Sequence, residues 1–231
     1  MSTKNAYRQI ADLVKTMNDQ VPADAARTLQ DLTQSAVVHI PAADYAGITV
    51  VSQREEVATP AASHEYARIL DAIQQKYREG PCMSAATEDE TFYISDLAGD
   101  ERWPSFRRDA LAHTPVKCIA AFQLFTTRHT VGALNLYANN AHAFDQESWD
   151  IGYVFAAHAA VLWSAVQRGD QFRSALASRD IIGQAKGIIM ERYSVDSTQA
   201  FDLLRTLSQN ENILLADVAR QLVSVDHPSG A

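Results

Sequence analysis

The chain has 231 residues, of which 47% are apolar and 21% are charged, and nine glycines and seven prolines give it no low-complexity character. This composition is typical of a globular protein and excludes a mostly disordered or fibrous chain. The formal net charge of −8 excludes a basic surface along the whole chain, so any site for a polyanion has to be local.

Neither a membrane segment nor a catalytic centre is predicted. The longest apolar run, residues 154–163, contains His158 and is much shorter than the roughly 20 residues that a bilayer span requires. The first 21 residues carry scattered charges instead of a secretory signal. The cysteines and histidines lack the spacing of metal ligands or of a disulfide framework, and no GxSxG, Walker or GxGxxG motif is present. We therefore expect a cytoplasmic protein without a metal centre.

The first part of the chain predicts mixed structure. Prolines punctuate it from Pro22 to Pro115 and are then absent until Pro228. Because proline costs about 3 kcal/mol inside a helix, the tract from Asp145 onward is the part that is free to be mainly helical. Apolar spacing predicts helices over residues 6–17, 22–40, 63–77 and 104–113. Short segments rich in β-branched and aromatic residues predict strands over 45–52, 91–94, 118–127 and 130–137, the last two joined as a hairpin through Arg128 and His129. Gly80-Pro81 is interpreted as a turn, and the predicted class is α+β with an antiparallel sheet flanked by helices.

From Ile151 an apolar face with spacings of three and four extends to Met190 and approximates a coiled-coil repeat. Two interpretations are open: one continuous helix, or a helix that breaks near Gly169, where glycine costs about 1 kcal/mol relative to alanine. A continuous helix has a second apolar face, formed by Ile181, Ala185, Ile188 and Ile189. Because a helix that is apolar on two sides has to be covered twice, this pattern predicts a helical bundle together with a dimer contact.

Two further helices complete a predicted three-helix unit at the end of the chain. Asp196 followed by Gln199 has the form of a capping box, which marks a helix start. The last apolar stripe begins at Leu215, after the polar turn at residues 210–212. We expect four positions to be small because helices approach closely there, namely Ala185, Gly187, Ala200 and Ala219.

Several segments of the first part resemble the GAF sensor domain of the actinobacterial kind over about residues 22–166. They are QQKYREGPC at 74–82, ISDL at 94–97, RWPSF at 102–106, VGALNLY at 131–137 and AFD at 143–145. The resemblance implies a sensory or scaffolding role and dimerisation through terminal helices. It leaves a small-molecule ligand of this domain open and identifies none, and no other cofactor is expected.

The end of the chain resembles the ANTAR domain, an RNA-binding antitermination module. The segments that carry the likeness are SRDIIGQAKGIIMER at 178–192, QAFDLLR at 199–205 and LADVA at 215–219. The resemblance implies binding of paired hairpins in the leader of a nascent transcript, usually as a dimer, and no covalent chemistry. Together the two likenesses indicate a GAF–ANTAR two-domain regulator.

The candidate RNA-binding residues are cationic and aromatic side chains of this last unit. Arg179, Lys186 and Tyr193 are spaced by seven residues and therefore share one helix face. Arg205 lies outside the apolar stripe of the next helix, and Arg192 is a further candidate. Such groups suit hairpin loops, where rings and guanidinium planes stack on unpaired bases while cations meet phosphates. The charges of residues 171–227 nearly cancel, so we expect dimerisation to strengthen binding through avidity.

The predicted domains are an N-terminal helix over 1–21, a GAF-like domain over 22–166, an ANTAR-like domain over 167–227 and a flexible tail over 228–231. The predicted function is that of a signal-responsive antitermination regulator that acts on the transcription machinery indirectly, as a homodimer joined through the long helix near 146–192. Two alternatives stay open. One is a GAF-type, thiol-dependent methionine sulfoxide reductase that uses Cys82 and Cys118, and the other is a dimeric scaffold that binds protein or DNA.

Overall fold

The computed structural model describes residues 25–52, 56–88, 91–126 and 130–226. The predicted helix over 6–17, the hairpin connection at 128–129 and the predicted tail over 228–231 lie outside these residues. The chain divides into two compact units between Val166 and Gln167, and each is described by itself as the N-terminal and the C-terminal unit.

The N-terminal unit is built on one five-stranded antiparallel sheet of order β2-β1-β5-β4-β3. The predicted α+β class is confirmed, and the predicted helices and strands that fall on described residues agree with the structure except at their ends. In chain order the elements are α1 (Ala25–His39), β1 (Tyr45–Ser52), β2 (Val57–Ala62), α2 (Glu65–Tyr77), α3 (Pro81–Glu88), β3 (Phe92–Ile94), a 3-10 turn (Leu97–Gly99), α4 (Pro104–His113), β4 (Cys118–Thr126) and β5 (Thr130–Ala138).

Apart from the short 3-10 turn, two elements were not predicted, namely β2 and α3. β2 contains Pro60, which cannot donate to a sheet ladder, and such a strand is tolerated here because β2 lies at the edge of the sheet. α3 begins at Pro81, directly after Gly80 with its φ of +130°. The turn predicted at Gly80-Pro81 is therefore also a helix start, where the fixed φ of proline is favourable.

The sheet carries a hydrophobic cluster on each face. Consecutive residues of β5 show the alternation, because Leu136 is buried with α1 while Tyr137 is buried with α2 and α4. The first cluster also receives Ile151, Phe155 and Ala159 from the helix that follows the sheet.

That helix, α5 (Gln146–Tyr193), is continuous over 48 residues and passes through Gly169 without a break. By length and composition it also meets the minimum for a membrane span, with an 18-residue window of mean hydropathy 1.2 of which 28% is buried. No membrane segment was expected from the sequence, because only the longest uninterrupted apolar run was considered and not an 18-residue average. A single such helix is weak evidence for a span, since core helices of soluble proteins pass the same test.

The C-terminal unit packs the second part of α5 against α6 (Ser197–Glu211) and α7 (Leu215–Asp226). The predicted capping box is confirmed. The Asp196 carboxylate accepts from the backbone N–H groups of Thr198 and Gln199 at 2.9 and 2.8 Å, and the Gln199 side chain accepts from the Asp196 N–H at 3.1 Å. Asn212 ends α6 in the left-handed conformation with φ 54°.

Three of the four positions expected to be small are fully buried in the core of this unit, namely Ala185, Ala200 and Ala219. Gly187 is exposed, and an added Cβ there meets nothing within 4 Å, so no described helix of the same chain approaches it closely and the expectation for this position stays a prediction. Its small size has no packing reason among the described residues.

Candidate nucleic-acid interface

The second part of α5 has one buried and one exposed apolar face. Ala185 and Ile189 are in the core of the C-terminal unit. On a second face, Phe172, Leu176 and Met190 are 66%, 44% and 37% exposed. The apolar face predicted from Ile151 to Met190 is thus covered by the chain's own sheet at its beginning and exposed towards its end.

Arg179, Lys186 and Tyr193 follow a line beside this exposed face, since positions seven residues apart drift by only about 20° around an α-helix. Arg179 is exposed and Tyr193 is 64% exposed. Lys186 is half-buried, and its Nζ lies 5.9 Å from the centre of the Phe201 ring on α6. A lysine placed in this way covers apolar surface with its stem and keeps the ammonium group in water.

Phe201 is a candidate residue that sequence reasoning missed, because the pattern placed it at the edge of the apolar stripe of α6. Phe201 is 37% exposed, and its ring faces the Lys186 ammonium group. Arg205 follows one turn later on the same face of α6, as residues four apart do. The three side chains, named here the Lys186–Phe201–Arg205 cluster, combine one partly open aromatic ring with two cations. The signal that could have identified Phe201 is an aromatic residue at the edge of the apolar stripe of α6, four residues before Arg205.

The guanidinium of Arg205 forms an ion pair with Asp202 at 3.2 Å, with side chains 60% and 55% exposed. Exposed pairs of this kind contribute only about 0–1 kcal/mol. A phosphate group therefore competes easily for Arg205. The remaining candidate, Arg192, is exposed but lies about 100° around α5 from Tyr193, and so off the line of the other three residues of that helix.

The two thiols lie apart, on opposite faces of the sheet. Cys82 is buried with Val51, Met83 and Ala133, whereas Cys118 is buried in the cluster that contains α1. Burial, together with the nearby Asp71, raises the pKa of the Cys82 thiol to about 12. Because the thiolate is the nucleophile, a raised pKa disfavours a nucleophilic role for Cys82 at neutral pH. Among the described residues no group of three or more histidine, cysteine, aspartate or glutamate side chains is placed to hold a metal ion.

Comparisons with solved structures show the fold. A GAF domain from a phosphoenolpyruvate-protein phosphotransferase of Coxiella burnetii matches with a TM-score of 0.55 and 14% identity, covering 73% of this chain and 96% of that one. The corresponding Acinetobacter domain matches with a TM-score of 0.51 and 12% identity, covering 74% and 99%. A type II free methionine-R-sulfoxide reductase from Thermoplasma acidophilum matches with a TM-score of 0.47 and 16% identity over 60% and 91%, which is too distant to support an argument.

No curated protein matches this chain in sequence. Two family models do. The model of the GAF domain matches residues 22–164, and the model of the ANTAR domain matches residues 170–223. The chain therefore belongs to the GAF family, and its GAF domain is followed by an ANTAR domain, as in a GAF–ANTAR two-domain regulator.

Proposed function

We propose that this protein is a cytoplasmic transcription antitermination regulator, which binds paired hairpins in nascent leader RNA through its ANTAR domain under the control of its GAF domain. It acts on the transcription machinery indirectly, through the structure of the transcript. The observation that carries the proposal is the Lys186–Phe201–Arg205 cluster inside the segment matched by the ANTAR model.

The chemistry of the cluster suits the loop of a hairpin. Unpaired loop bases present flat faces to a ring such as Phe201, while the phosphates on either side attract Lys186 and Arg205. Arg179 and Tyr193 extend the same set of groups along α5. The C-terminal unit has almost no net charge, so a single copy supplies few cations for each RNA. Two copies that engage two linked hairpins gain affinity through the tether, which fits a target made of paired hairpins.

The exposed face of α5 supports a homodimer joined through this helix. A Cβ added at Gly169, Gly183 or Gly187 meets nothing within 4 Å, so the chain's own packing does not account for these glycines. Each costs about 1 kcal/mol relative to alanine in a helix. A second α5 that approaches closely accounts for the glycines, and it also covers Phe172, Leu176 and Met190.

The dimer is tested by Phe172→Glu, which places a charge in the proposed contact, followed by sedimentation equilibrium. We expect the wild-type chain to be a dimer and the variant to be a monomer. Leu214→Glu is the matched control, because Leu214 is 73% exposed and belongs to the connection between α6 and α7 instead of to α5. It should remain a dimer, and a monomeric wild-type chain at micromolar concentration would refute the proposed contact.

RNA binding is tested by filter-binding titration of the full chain with a two-hairpin leader RNA at several salt concentrations. Lys186→Ala should weaken binding roughly tenfold and reduce the salt slope by about 1. Phe201→Leu keeps an apolar side chain but removes the ring, and it should weaken binding without a change in salt slope, since base stacking is worth about 1–3 kcal/mol.

The control is Arg220→Ala, which removes a cation of α7 that is ion-paired with Asp217. It should leave the affinity close to that of the wild type. If Lys186→Ala binds as tightly as the wild type, the proposed contact does not exist. If duplex DNA competes as well as hairpin RNA, the scaffold alternative replaces the RNA proposal.

The proposal treats the GAF domain as a sensor without catalytic activity. The buried thiols support this assignment, because a reductase requires at least one accessible thiol of lowered pKa. A turnover assay with free methionine sulfoxide and a thiol reductant distinguishes a non-catalytic sensor from a reductase. Activity that is lost in Cys82→Ser would establish the reductase.

A further inference from the structure

A buried carboxylate lies between α2 and the sheet of the GAF domain. Asp71 is only 3% exposed, and the hydrogen bonds to its carboxylate come from neutral side chains. Its Oδ1 accepts from the Thr49 hydroxyl at 3.0 Å and from the Gln74 amide at 3.1 Å. Its Oδ2 accepts from the hydroxyls of Thr49 and Thr59 at 2.8 and 2.7 Å. The carboxylate thereby joins α2 to the neighbouring strands β1 and β2.

Further hydrogen bonds extend these contacts to α3 and β5. The Asn135 amide donates to the Thr49 hydroxyl at 2.7 Å, and the Cys82 thiol donates to the Asn135 carbonyl oxygen at 3.4 Å. The backbone N–H of Cys82 donates to the Gln74 carbonyl oxygen at 2.9 Å. These six residues form one connected set, named here the Asp71 network, that joins two helices to three strands.

The titratable groups that face Asp71 come from three of these elements. From α2, Arg68 acts on the carboxylate electrostatically while its guanidinium donates to the Thr59 backbone carbonyl at 2.8 Å. From α3 comes the Cys82 thiol. From β5 comes Tyr137, whose buried hydroxyl has no hydrogen-bond partner among the described residues. The residues that face Asp71 from β1 and β2 are threonines, which do not titrate.

Burial disfavours the charged form of this carboxyl group. It raises the pKa of Asp71 to about 7, although the hydrogen bonds from Thr59, Thr49 and Gln74 and the charge of Arg68 act in the opposite direction. A protonated carboxyl group is a donor at one oxygen, whereas the ionised group only accepts. At least one donor to Asp71, either a threonine hydroxyl or the Gln74 amide, has to reorient or lose its hydrogen bond when the proton arrives.

We propose that protonation of Asp71 rearranges the hydrogen bonds that hold α2 to β1 and β2, so that the GAF domain responds to pH near neutrality. The Asp71 network is the pH-sensitive element, because protonation of one carboxyl group changes the contacts between α2 and two strands. The proposal concerns the GAF domain alone and does not depend on RNA binding.

The first test is carbon-13 NMR of the aspartate carboxyl carbons of the full chain between pH 4.5 and 9. We expect one carboxyl signal with a midpoint near 7 that is absent from Asp71→Asn. Thr59→Val removes a donor to the charged form and should raise that midpoint by roughly 1 pH unit. Asp109→Asn is the control, because the hydrogen bond from Tyr77 and the charges of Arg108 and Lys76 hold the pKa of Asp109 at about 2. It should leave the midpoint unchanged.

The second test is hydrogen exchange of the α2 backbone at pH 6 and pH 8, each corrected for the intrinsic exchange rate. In the wild-type chain the protection of α2 should differ by at least about threefold between the two conditions, and in Asp71→Asn it should be the same. A carboxyl midpoint below pH 5, or equal protection of α2 at both pH values in the wild type, would overturn the proposal. If Asp71→Asn does not fold, the wild-type titration and Thr59→Val decide the question.

Discussion

Gly152 offers a sharp test of the packing between α5 and the sheet. A Cβ added at this position would lie 2.4 Å from Cζ of Phe122, and 2.8 and 3.0 Å from its two Cε atoms. Carbon atoms in ordinary contact are about 3.5–4.0 Å apart, so the helix or the ring would have to move by about 1 Å. The ring is held on two sides, since its centre lies 4.8 Å from that of Trp149 and 5.1 Å from that of Tyr153. We therefore expect Gly152→Ala to strain the core of the GAF domain.

The free energy of unfolding should fall by about 2 kcal/mol. Overpacking of a core costs about 1–3 kcal/mol, and so close a contact belongs at the upper end of this range. The intrinsic preference of a helix for alanine over glycine offsets about 1 kcal/mol of that cost. The assay is urea unfolding followed by tryptophan fluorescence. All three tryptophans, Trp103, Trp149 and Trp163, precede the boundary at Val166, so the signal reports on the N-terminal unit alone.

The double variant Gly152→Ala with Phe122→Leu separates a clash from a general effect of the substitution. Leucine leaves room for the added methyl group, so the second substitution should cost little or nothing beyond Phe122→Leu alone. Two outcomes contradict the argument: a Gly152→Ala variant as stable as the wild type, or a double variant in which the two losses simply add.

Three further predictions follow from the pKa values, the thiols and the helix cap. Relative to Asp71→Asn, the wild-type GAF domain should lose up to about 4 kcal/mol of its free energy of unfolding as the pH rises from about 4 to 7, because the folded chain retains the Asp71 proton that the unfolded chain has lost. Urea titrations of both chains at several pH values measure this difference, from which the opposite contribution of His158, whose pKa is lowered by burial, cancels. A thiol reagent should label neither Cys82 nor Cys118 in the folded chain and both in urea, and rapid labelling of the native protein would contradict their burial. Asp196→Ala should destabilise the C-terminal unit by about 1 kcal/mol in a thermal melt followed by circular dichroism, whereas Asp202→Ala, which removes only an exposed ion pair, should change the melt little.

The elements that were predicted correctly are those whose periodicity is local. β1, α4 and the capping box at Asp196 are each encoded within a few neighbouring residues. β2 was missed because Pro60 lowers the strand tendency of a short segment, and an edge position that tolerates proline is a property of the assembled sheet.

Asp71 and Phe201 were not identified from the sequence for a similar reason. Asp71 occupies a helix position where an exposed carboxylate is the usual expectation, and its burial depends on Thr49 and Thr59 from separate strands. The position of Phe201 opposite Lys186 depends on how α6 crosses α5. In both cases the sequence shows the residue, but the contacts that define its environment come from elements distant along the chain.

The continuity of α5 strengthens the case for pairing of two chains. Residues 170–177 are all exposed, and this segment contains Phe172 and Leu176. A helical segment without packing on any side is only marginally stable in water, and most helical stability in proteins comes from the packing of an apolar face. The proposed pairing through α5 would supply that packing. It would also bring two Lys186–Phe201–Arg205 clusters into one molecule, and this is how the proposal reconciles linked hairpins as the target with an ANTAR domain of almost no net charge.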